Sequence, residues 1–366
     1  MNYDFEAGEA KAGAKVAAIL KASGFNKLEQ LANDSELKEA TRSLYKELAG
    51  PYWEEVLKTP SSERSFELAI TEIETARHSV SFGVSMMATR IVAELAASSG
   101  AEGWRRTVAD QVKAGGFIGA LSVAGAGENE LSASSGPDGS FVLDGFVKGV
   151  VNGPYASLVL VCESGGKRAF FVNTDAGGVV IGERIKTVGV TGLAVSDVKL
   201  NGVKVDKSRW LDVAGAKEAI SAAVDLGLSK LCVGLSSRIF NEIKEHCSTA
   251  MLGGKPKTSD QHVRFKLAEL LTQVQASEFL VYRAVWMTAG NDPEATVVAK
   301  VAKSFCSENV ESVAKNAMLL AGSAALEYGG FFERASADAV HLAIAGTGAA
   351  DAKTSVADSM IARYGD

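Results

Sequence analysis

The residue composition of the chain changes twice along its length, and these changes constrain the fold more than any single motif. From residue 8 to about 115, Ala, Leu, Glu and Lys dominate, as is typical of helices. From about 117 to 212, short runs rich in Val, Leu and Phe alternate with Gly, Asp, Asn and Ser, which predicts strands and turns. After Trp210 the helical composition returns. We therefore predict an α+β protein with domains at residues 1–116, 117–212 and 213–366.

Both helical regions are expected to form bundles. Residues 66–77 place their apolar side chains on one helical face, and residues 83–97 are apolar nearly all round, which predicts a central helix in an all-α domain. Met86 and Met87 in that helix are interpreted as core residues. Three long segments near the C-terminus, joined by short Gly/Pro breaks, favour an antiparallel four-helix bundle. They are residues 220–247, 260–289 and 293–321.

The middle region is expected to be a small, antiparallel, barrel-like β domain. Between residues 119 and 153 an apolar strand ends in a loop of small residues, and a second strand ends at Asn152-Gly153. Small residues at strand ends let backbone amides approach a ligand closely. The alternative interpretation is an ordinary hairpin of a small barrel.

Composition and charge exclude several classes of protein. The chain has 366 residues, of which 47% are hydrophobic and 22% charged, so we expect a globular protein. Its net charge of -6 and its lack of a Lys/Arg cluster argue against a nucleic-acid partner. No apolar run is expected to span a membrane, and no signal peptide is recognised, so we expect a cytoplasmic protein. The four cysteines are scattered, which predicts reduced thiols and no metal site.

Several short segments, in order, resemble the acyl-CoA dehydrogenase family. In the helical and β regions, residues 70–76 resemble the family's "ITEELA", Gly125-Ala126-Gly127 its "TEPGAGSD", and residues 143–153 its "LNGxKxWITNG". In the C-terminal region, residues 254–269 resemble "FGKPIxxxQxxxFKLADM", residues 281–286 "VYRAAW" and residues 302–308 "AKxFASE". Ala345-Gly346-Thr347 stands where the family has "YEGT". The resemblance extends over nearly the whole chain at low identity.

The resemblance implies an oxidoreductase that acts on CH–CH bonds. A carboxylate in that family takes the α-proton of an acyl-CoA, while FAD accepts the β-hydride and passes electrons to an electron-transfer flavoprotein. The chemistry needs a base within reach of the α-carbon and donors that polarise the thioester carbonyl. The fold expected from the family is an all-α domain, a β domain and a four-helix bundle, assembled as a dimer of dimers.

The carboxylate that the family uses as its base is missing from its usual place. Ala345 stands where the "YEGT" glutamate is expected, and a methyl group cannot accept a proton. Some family members carry the base on the first bundle helix, next to an arginine that contacts CoA. Those two places fall on Val224 and Asp225. Asp225 is therefore the candidate catalytic residue, with a solvated helix residue as the alternative interpretation. Together with Glu128 and Gly346, it is also a candidate substrate-binding residue.

The resemblance also implies a FAD site that has lost several of the family's contact residues. Candidate cofactor-binding residues are Leu121, Ser122, Gly127, Val151, Asn152, Gln261, Gly322 and Thr347. The family's tryptophan and threonine of "WIT" are replaced by Gly149 and Val151, and its diphosphate-binding arginine by Ala250. At the adenosine end, Met318 and Ala321 replace a glutamine and a glycine, and Ala349 replaces the glutamine after "GTS". Loss of the arginine removes a charge-assisted contact.

Three functions stay open at this stage. The chain is interpreted first as the base-lacking subunit of a heteromeric acyl-CoA dehydrogenase that acts on a bulky or cyclic acyl group. The second interpretation is a self-sufficient, atypical dehydrogenase or enoyl-CoA reductase with a relocated acid or base. The third is a non-catalytic, acyl-CoA-binding or structural subunit without FAD. Apolar residues on more than one stripe of 260–289 predict a homo- or hetero-oligomer in each case.

Overall fold

The helices and strands of the protein are defined by a computed structural model. The structure describes residues 7–22, 28, 31, 33–48, 52–53, 56–57, 62–99, 102–122, 130–164, 168–212 and 216–364. The described residues before the first strand include five α-helices. They are α1 (Ala7–Ala22), α2 (Asp34–Glu47), α3 (Ser62–His78), α4 (Val80–Ser98) and α5 (Glu102–Lys113).

Helix α4 lies at the centre of the N-terminal helices, as its composition predicts. Ser79 separates it from α3, and its hydroxyl accepts a hydrogen bond from the Phe82 N–H at the start of α4. Met86 and Met87 are fully buried, which confirms their interpretation as core residues. Val80–Ser98 and Glu218–Thr249 are long and apolar enough to cross a membrane by length and composition alone. However, 83% and 72% of their most apolar windows are buried, as in core helices.

The described residues between 119 and 212 form one eight-stranded sheet. Its strands are β1 (Gly119–Ser122), β2 (Glu130–Ser135), β3 (Phe141–Val151), β4 (Leu158–Cys162), β5 (Arg168–Asn173), β6 (Val179–Ile181), β7 (Val195–Val205) and β8 (Trp210–Asp212). The order is β6-β7-β3-β1-β4-β5-β8, with β2 also paired to β3. All pairs are antiparallel except β1 with β4, so the expectation of a purely antiparallel domain is wrong at this pair. The chain crosses over through β2 and β3 before β4 joins β1.

The two faces of the sheet belong to different cores. Val159 and Val161 on β4 pack with Phe170 and other residues in a core inside the β domain. Leu158 and Leu160, on the opposite face of the same strand, join the large core shared with the helices. This alternation follows from the two-residue period of a strand. The β domain is thus attached to the helices through one apolar face.

The C-terminal region is a bundle whose longest members are α6 (Ala216–Thr249), α7 (Gln261–Ala289) and α8 (Ala295–Ala321). The short strands β9 (Met251–Leu252) and β10 (Lys255–Pro256) connect α6 to α7. Asp260 accepts hydrogen bonds from His262 N–H and Val263 N–H, which explains why α7 begins there. Helices α9 (Phe331–Ile344) and α10 (Ala349–Tyr364) both pack on α8, which lies at the centre of the bundle.

A buried charge cluster connects the N-terminal helices to the bundle. Glu72 on α3 is fully buried and forms ion pairs with Arg90 on α4 and Lys230 on α6. Arg90 also binds Glu94, and the Tyr52 hydroxyl donates to Glu72 at 3.2 Å. Burial alone would raise the pKa of Glu72, but the two cations hold it below its usual value. One carboxylate therefore holds three helices together.

Candidate active site

Asp225 lies in α6 with its side chain fully buried, so the interpretation as a solvated helix residue is wrong. Its Oδ1 accepts the Thr347 N–H at 2.9 Å, which places the carboxylate beside the turn formed by Ala345, Gly346 and Thr347. Among the residues that the structure describes, its Oδ2 has no hydrogen-bond partner. Burial raises the pKa of Asp225, while Thr347 and the charge of Lys303 oppose this shift. The chain thus has a carboxylate next to the position of the absent glutamate.

Gly346 is required where the turn meets α6. Its φ of +72° lies in the region that favours glycine. A Cβ at this position would lie 2.9 Å from Asp225 Oδ1 and 2.7 Å from Leu228 Cδ1. Gly346 therefore lets the backbone approach Asp225.

We expect Gly346→Ala to destabilise the protein by about 1–3 kcal/mol, through backbone strain and the displacement of Asp225. Chemical denaturation measures this loss. Gly202→Ala is the matched control, because Gly202 also has a positive φ, +61°, but no atom lies within 4 Å of an added Cβ. If the two variants lose equal stability, contact with Asp225 does not make Gly346 necessary.

Lys303 supports the same turn from α8. It is fully buried, and its Nζ donates to Ser307 Oγ at 2.8 Å and to the carbonyl oxygens of Leu342 at 2.7 Å and Ala343 at 3.3 Å. Burial lowers the pKa of this amine, and the nearby Asp225 opposes the shift. Sequence reasoning did not select Lys303. The sequence around it gives little signal, because Lys300 and Ser304 are polar as well.

The predicted residues of the β domain lie at the paired ends of β1 and β3. Leu121 pairs with Val151, and both are buried. The Ser122 hydroxyl donates to the Lys148 carbonyl at 2.7 Å, so its proton is already used, although its oxygen retains acceptor capacity. Gly127 and Glu128 lie outside the described residues.

Asn152 is a structural link between the sheet and α4. Its Nδ2 donates to the carbonyls of Ser85 at 3.0 Å and Gly119 at 2.9 Å, and its Oδ1 accepts the Ser85 hydroxyl at 2.7 Å. The Tyr45 hydroxyl bonds Ser85 and Thr89 in the same network, and burial raises the pKa of Tyr45 to about 12. The Asn152 amide is buried and both its ends are bonded. The role of Asn152 at a cofactor stays a prediction, and its side chain already bonds within the protein.

Helix α4 lies between this network and Asp225. On α6, a Cβ added to Gly227 would clash with the Met87 side chain of α4, so the two helices are in close contact there. The other contacts of α4 include those of Ser85 and Thr89 with Asn152. The β-domain residues and the Asp225 turn are thus connected through one buried helix.

Gln261 begins α7, and Gly322 directly follows the end of α8. Lys257 donates to the carbonyls of Leu320 at 3.0 Å and Ala321 at 3.1 Å, which brings the start of α7 to the end of α8. Gln261 is exposed, and Gly322 has a φ of +70°. Gly322 also lines a mainly apolar cavity of about 560 Å³, together with Met318 and Lys315.

Thr347, in contrast, lies at the Asp225 turn, where its hydroxyl is 3.2 Å from that of Ser221.

Similarity to known sequences covers parts of the chain. Residues 226–358 match the family described as acyl-CoA dehydrogenase, C-terminal domain. Benzylmalonyl-CoA dehydrogenase of Aromatoleum aromaticum is 26% identical over 219 residues, 55% of this chain and 56% of that protein. Caffeyl-CoA reductase-Etf complex subunit CarC of Acetobacterium woodii is 27% identical over 172 residues, 46% of this chain and 45% of that protein. The chain thus spans about half the length of these curated relatives.

Solved structures match the fold over almost the whole chain. Butyryl-CoA dehydrogenase from Megasphaera elsdenii has a TM-score of 0.85 at 18% identity, covering 99% of this chain and 100% of that one. The FAD complex of PigA has a TM-score of 0.84 at 17% identity, with coverage of 99% and 100%. These structures confirm the predicted fold class. With the family match, they show that residues 226–358 belong to the acyl-CoA dehydrogenase C-terminal domain family and that the chain has the fold of these structures.

Proposed function

We propose that the protein is a FAD-dependent oxidoreductase that removes hydrogen from the α and β carbons of an acyl-CoA thioester, with Asp225 as its base. The observation that carries this proposal is the 2.9 Å hydrogen bond from the Thr347 N–H to Asp225 Oδ1. It holds a buried carboxylate beside Ala345, where the family's glutamate is missing. The second carboxylate oxygen has no partner among the described residues and is available for a proton.

The surroundings of Asp225 suit proton abstraction. Burial raises its pKa, which makes the carboxylate a stronger base than an exposed aspartate. The hydrogen bond from Thr347 and the charge of Lys303 oppose this shift and stabilise the ionised form. The Thr347 bond also fixes the orientation of the carboxylate, and positioning of this kind supports general base catalysis.

The chemistry of the described residues fits FAD in two places. The apolar cavity beside Gly322 is large enough for an aromatic ring system, and its wall carries one cation, Lys315, and one carboxylate, Glu311. Thr347 at the Asp225 turn and Ser122 at the end of β1 each offer a hydroxyl oxygen as an acceptor. When bound, FAD supplies the acceptor for the β-hydride. Electrons would then pass to an electron-transfer flavoprotein, a proposal supported by the similarity to a subunit of a reductase-Etf complex.

We propose that the chain works in an oligomer. Phe279 and Trp286, seven residues apart on α7, are about half exposed, while Val274 and Val281 on the same helix are buried. Two apolar stripes on one helix favour contacts with both the bundle and a second subunit. A dimer of dimers, homomeric or heteromeric, would cover the exposed stripe.

A base-lacking subunit of a heteromeric enzyme is the second candidate. Ala345 and the fully bonded Asn152 amide favour it, because a sister chain would then supply the base and part of the FAD site. The proposed acyl group is bulky or cyclic under either function, in keeping with the relative named for benzylmalonyl-CoA. An enoyl-CoA reductase would use the same groups in the opposite direction.

The purified chain, without any partner, distinguishes these functions. Its visible spectrum is recorded without oxygen before and after linear, branched and cyclic acyl-CoA esters are added. The proposal expects bound flavin that loses its visible absorption with at least one ester. Flavin that is reduced only after co-expression with a sister chain would support the base-lacking subunit. Absence of flavin under both conditions would contradict both candidates and favour a non-catalytic subunit.

We expect Ser122→Ala to weaken FAD retention by about 1 kcal/mol, through the loss of one hydrogen-bonding group. Ser132→Ala is the matched control, because the Ser132 hydroxyl makes the same type of bond, to the Asp144 carbonyl of β3 at 3.1 Å. Equilibrium dialysis measures the flavin bound to each variant. Equal flavin content in the two variants and the unmodified protein would remove Ser122 from the proposed site.

A further inference from the structure

A second, smaller cavity of about 220 Å³ lies where the α3–α4 corner, α6 and the start of α9 meet. Its wall contains four basic side chains from three helices: Arg77, His78, Arg238 and Arg334. None of these residues belongs to the Asp225 turn or to the apolar cavity beside Gly322. The cavity therefore needs its own explanation.

The basic side chains have more donors than the neighbouring acceptors use. Arg77 donates from Nη1 to Glu74 at 2.9 Å, Arg238 pairs through Nη2 with Glu242 at 2.6 Å, and Arg334 donates to the Gly329 carbonyl. A guanidinium has five N–H groups. The Nε atoms of Arg77 and Arg238 are buried and have no partner within the described part of the chain. Leaving such a buried donor without an acceptor destabilises the folded state.

His78 adds a further donor. Its side chain is only 10% exposed and lines the cavity. Its Nε2 lies 3.4 Å from Glu74 Oε1, within ion-pair distance when the ring is protonated. Two buried guanidinium nitrogen atoms at this cavity, Nε of Arg77 and Nε of Arg238, thus lack an acceptor in the part of the chain that the structure describes.

The acidic residues at the cavity do not supply that acceptor. Glu242 is paired with Arg238, and Asp338 accepts the Val190 N–H at 2.6 Å. Ser79 and Val80 at the start of α4 also line the cavity. The amino end of this 19-residue helix adds a positive field to that of the arginines.

We propose that this cavity binds a small oxyanion, as free phosphate or as the phosphate group of a monoester. Planar guanidinium groups from three directions match the several oxygens of a phosphate. Arg77 lies on α3, Arg238 on α6 and Arg334 on α9, so the anion would connect the N-terminal helices to the bundle. Helix α9 ends beside Ala345, which gives the anion a direct structural connection to the Asp225 turn. The inference is independent of the proposed function.

Thermal unfolding of the full chain, titrated with phosphate, tests the site. Because a ligand that binds only the folded state stabilises it, phosphate should raise the melting temperature saturably, while potassium chloride at equal ionic strength should not. Arg238→Gln and Arg334→Gln should each weaken the apparent phosphate affinity at least tenfold. Arg264→Gln, a change of an exposed arginine on α7, is the matched control and should keep the full response.

Two further measurements complete the test. Glycerol 2-phosphate is titrated in parallel: a response at lower concentration than phosphate would identify a monoester as the ligand, and the reverse would identify free phosphate. Equilibrium dialysis of the unmodified protein with radiolabelled phosphate does not depend on how the variants fold. No saturable binding in dialysis, or an equal effect of chloride, would overturn the proposal. So would an unchanged phosphate response in both arginine variants.

Discussion

Replacing Asp225 with Asn is expected to slow the reduction of bound flavin by acyl-CoA about 10²- to 10⁴-fold, the usual contribution of a general base. Asn has nearly the same shape, and its amide oxygen can still accept the Thr347 N–H. The variant loses only the ability to take a proton. Rapid mixing without oxygen measures the rate of flavin reduction.

The same variant is expected to be at least as stable as the unmodified protein. Because the pKa of Asp225 is raised in the folded state, folding disfavours its ionised form. The folded state then binds more protons than the unfolded state, and this contribution to stability falls as the pH rises from the usual aspartate pKa through the raised folded one. Above that range the penalty is complete. The Asp225→Asn variant has no such penalty, because its amide does not ionise.

Denaturation at about pH 5 and about pH 8 separates these effects, with Asp144→Asn as the control. Asp144 also accepts a backbone N–H, that of Gly202 at 2.7 Å, but lies exposed in the β domain. A purely structural Asp225 predicts a less stable variant. A catalytic Asp225 predicts a slower variant of equal or greater stability.

Replacing Glu72 with Gln should give the largest loss of stability, about 3–5 kcal/mol. Removing one partner of a buried ion pair leaves an uncompensated charge, and here both Arg90 and Lys230 would lose their shared carboxylate. Chemical denaturation measures the loss. Glu94→Gln is the control, because Glu94 also binds Arg90 but is one-third exposed, and it should cost less than about 1 kcal/mol.

A double variant makes the reason for this loss testable. Lys230→Met added to Glu72→Gln removes one of the unpaired cations, so it should recover part of the lost stability. Because the folded pKa of Glu72 is lowered, its contribution is present above the usual glutamate pKa and is lost as the pH falls through the lowered one. Additive losses in the double variant would show that Glu72 and Lys230 do not stabilise each other.

Local sequence patterns predicted where the helices and strands lie better than they predicted which of them pair or pack together. The apolar composition of 83–97 predicted the central position of α4, and Asp260 and the Gly/Pro breaks marked the ends of the bundle helices. The parallel pairing of β1 with β4 could not be predicted in this way, because it depends on where the chain crosses through β2 and β3. Strand alternation shows which face is apolar, but not which strand lies beside it.

At the candidate site, too, the sequence predicted individual residues better than it predicted their spatial arrangement. The resemblance selected Asp225 and the Gly346-Thr347 turn, but over 100 residues separate them in sequence, and only the folded chain brings them together. Asn152 was selected by its place in a motif, although its amide is used within the protein. Lys303 was missed because a lysine in a helix is usually solvated. The buried ion pairs of Glu72 with Arg90 and Lys230 could not be predicted, because no sequence pattern connects these three residues.

Exchange of the substrate's α-hydrogen in heavy water tests the role of Asp225 most directly, because it needs a base but no hydride transfer. An acyl-CoA without β-hydrogens is incubated with the purified chain, and deuterium uptake is followed by mass spectrometry. The unmodified protein should exchange the α-hydrogen well above the buffer rate. Asp225→Asn should not, and adding Ala345→Glu to that variant should restore exchange. Equal exchange by the unmodified protein and Asp225→Asn would contradict the assignment of Asp225 as the base.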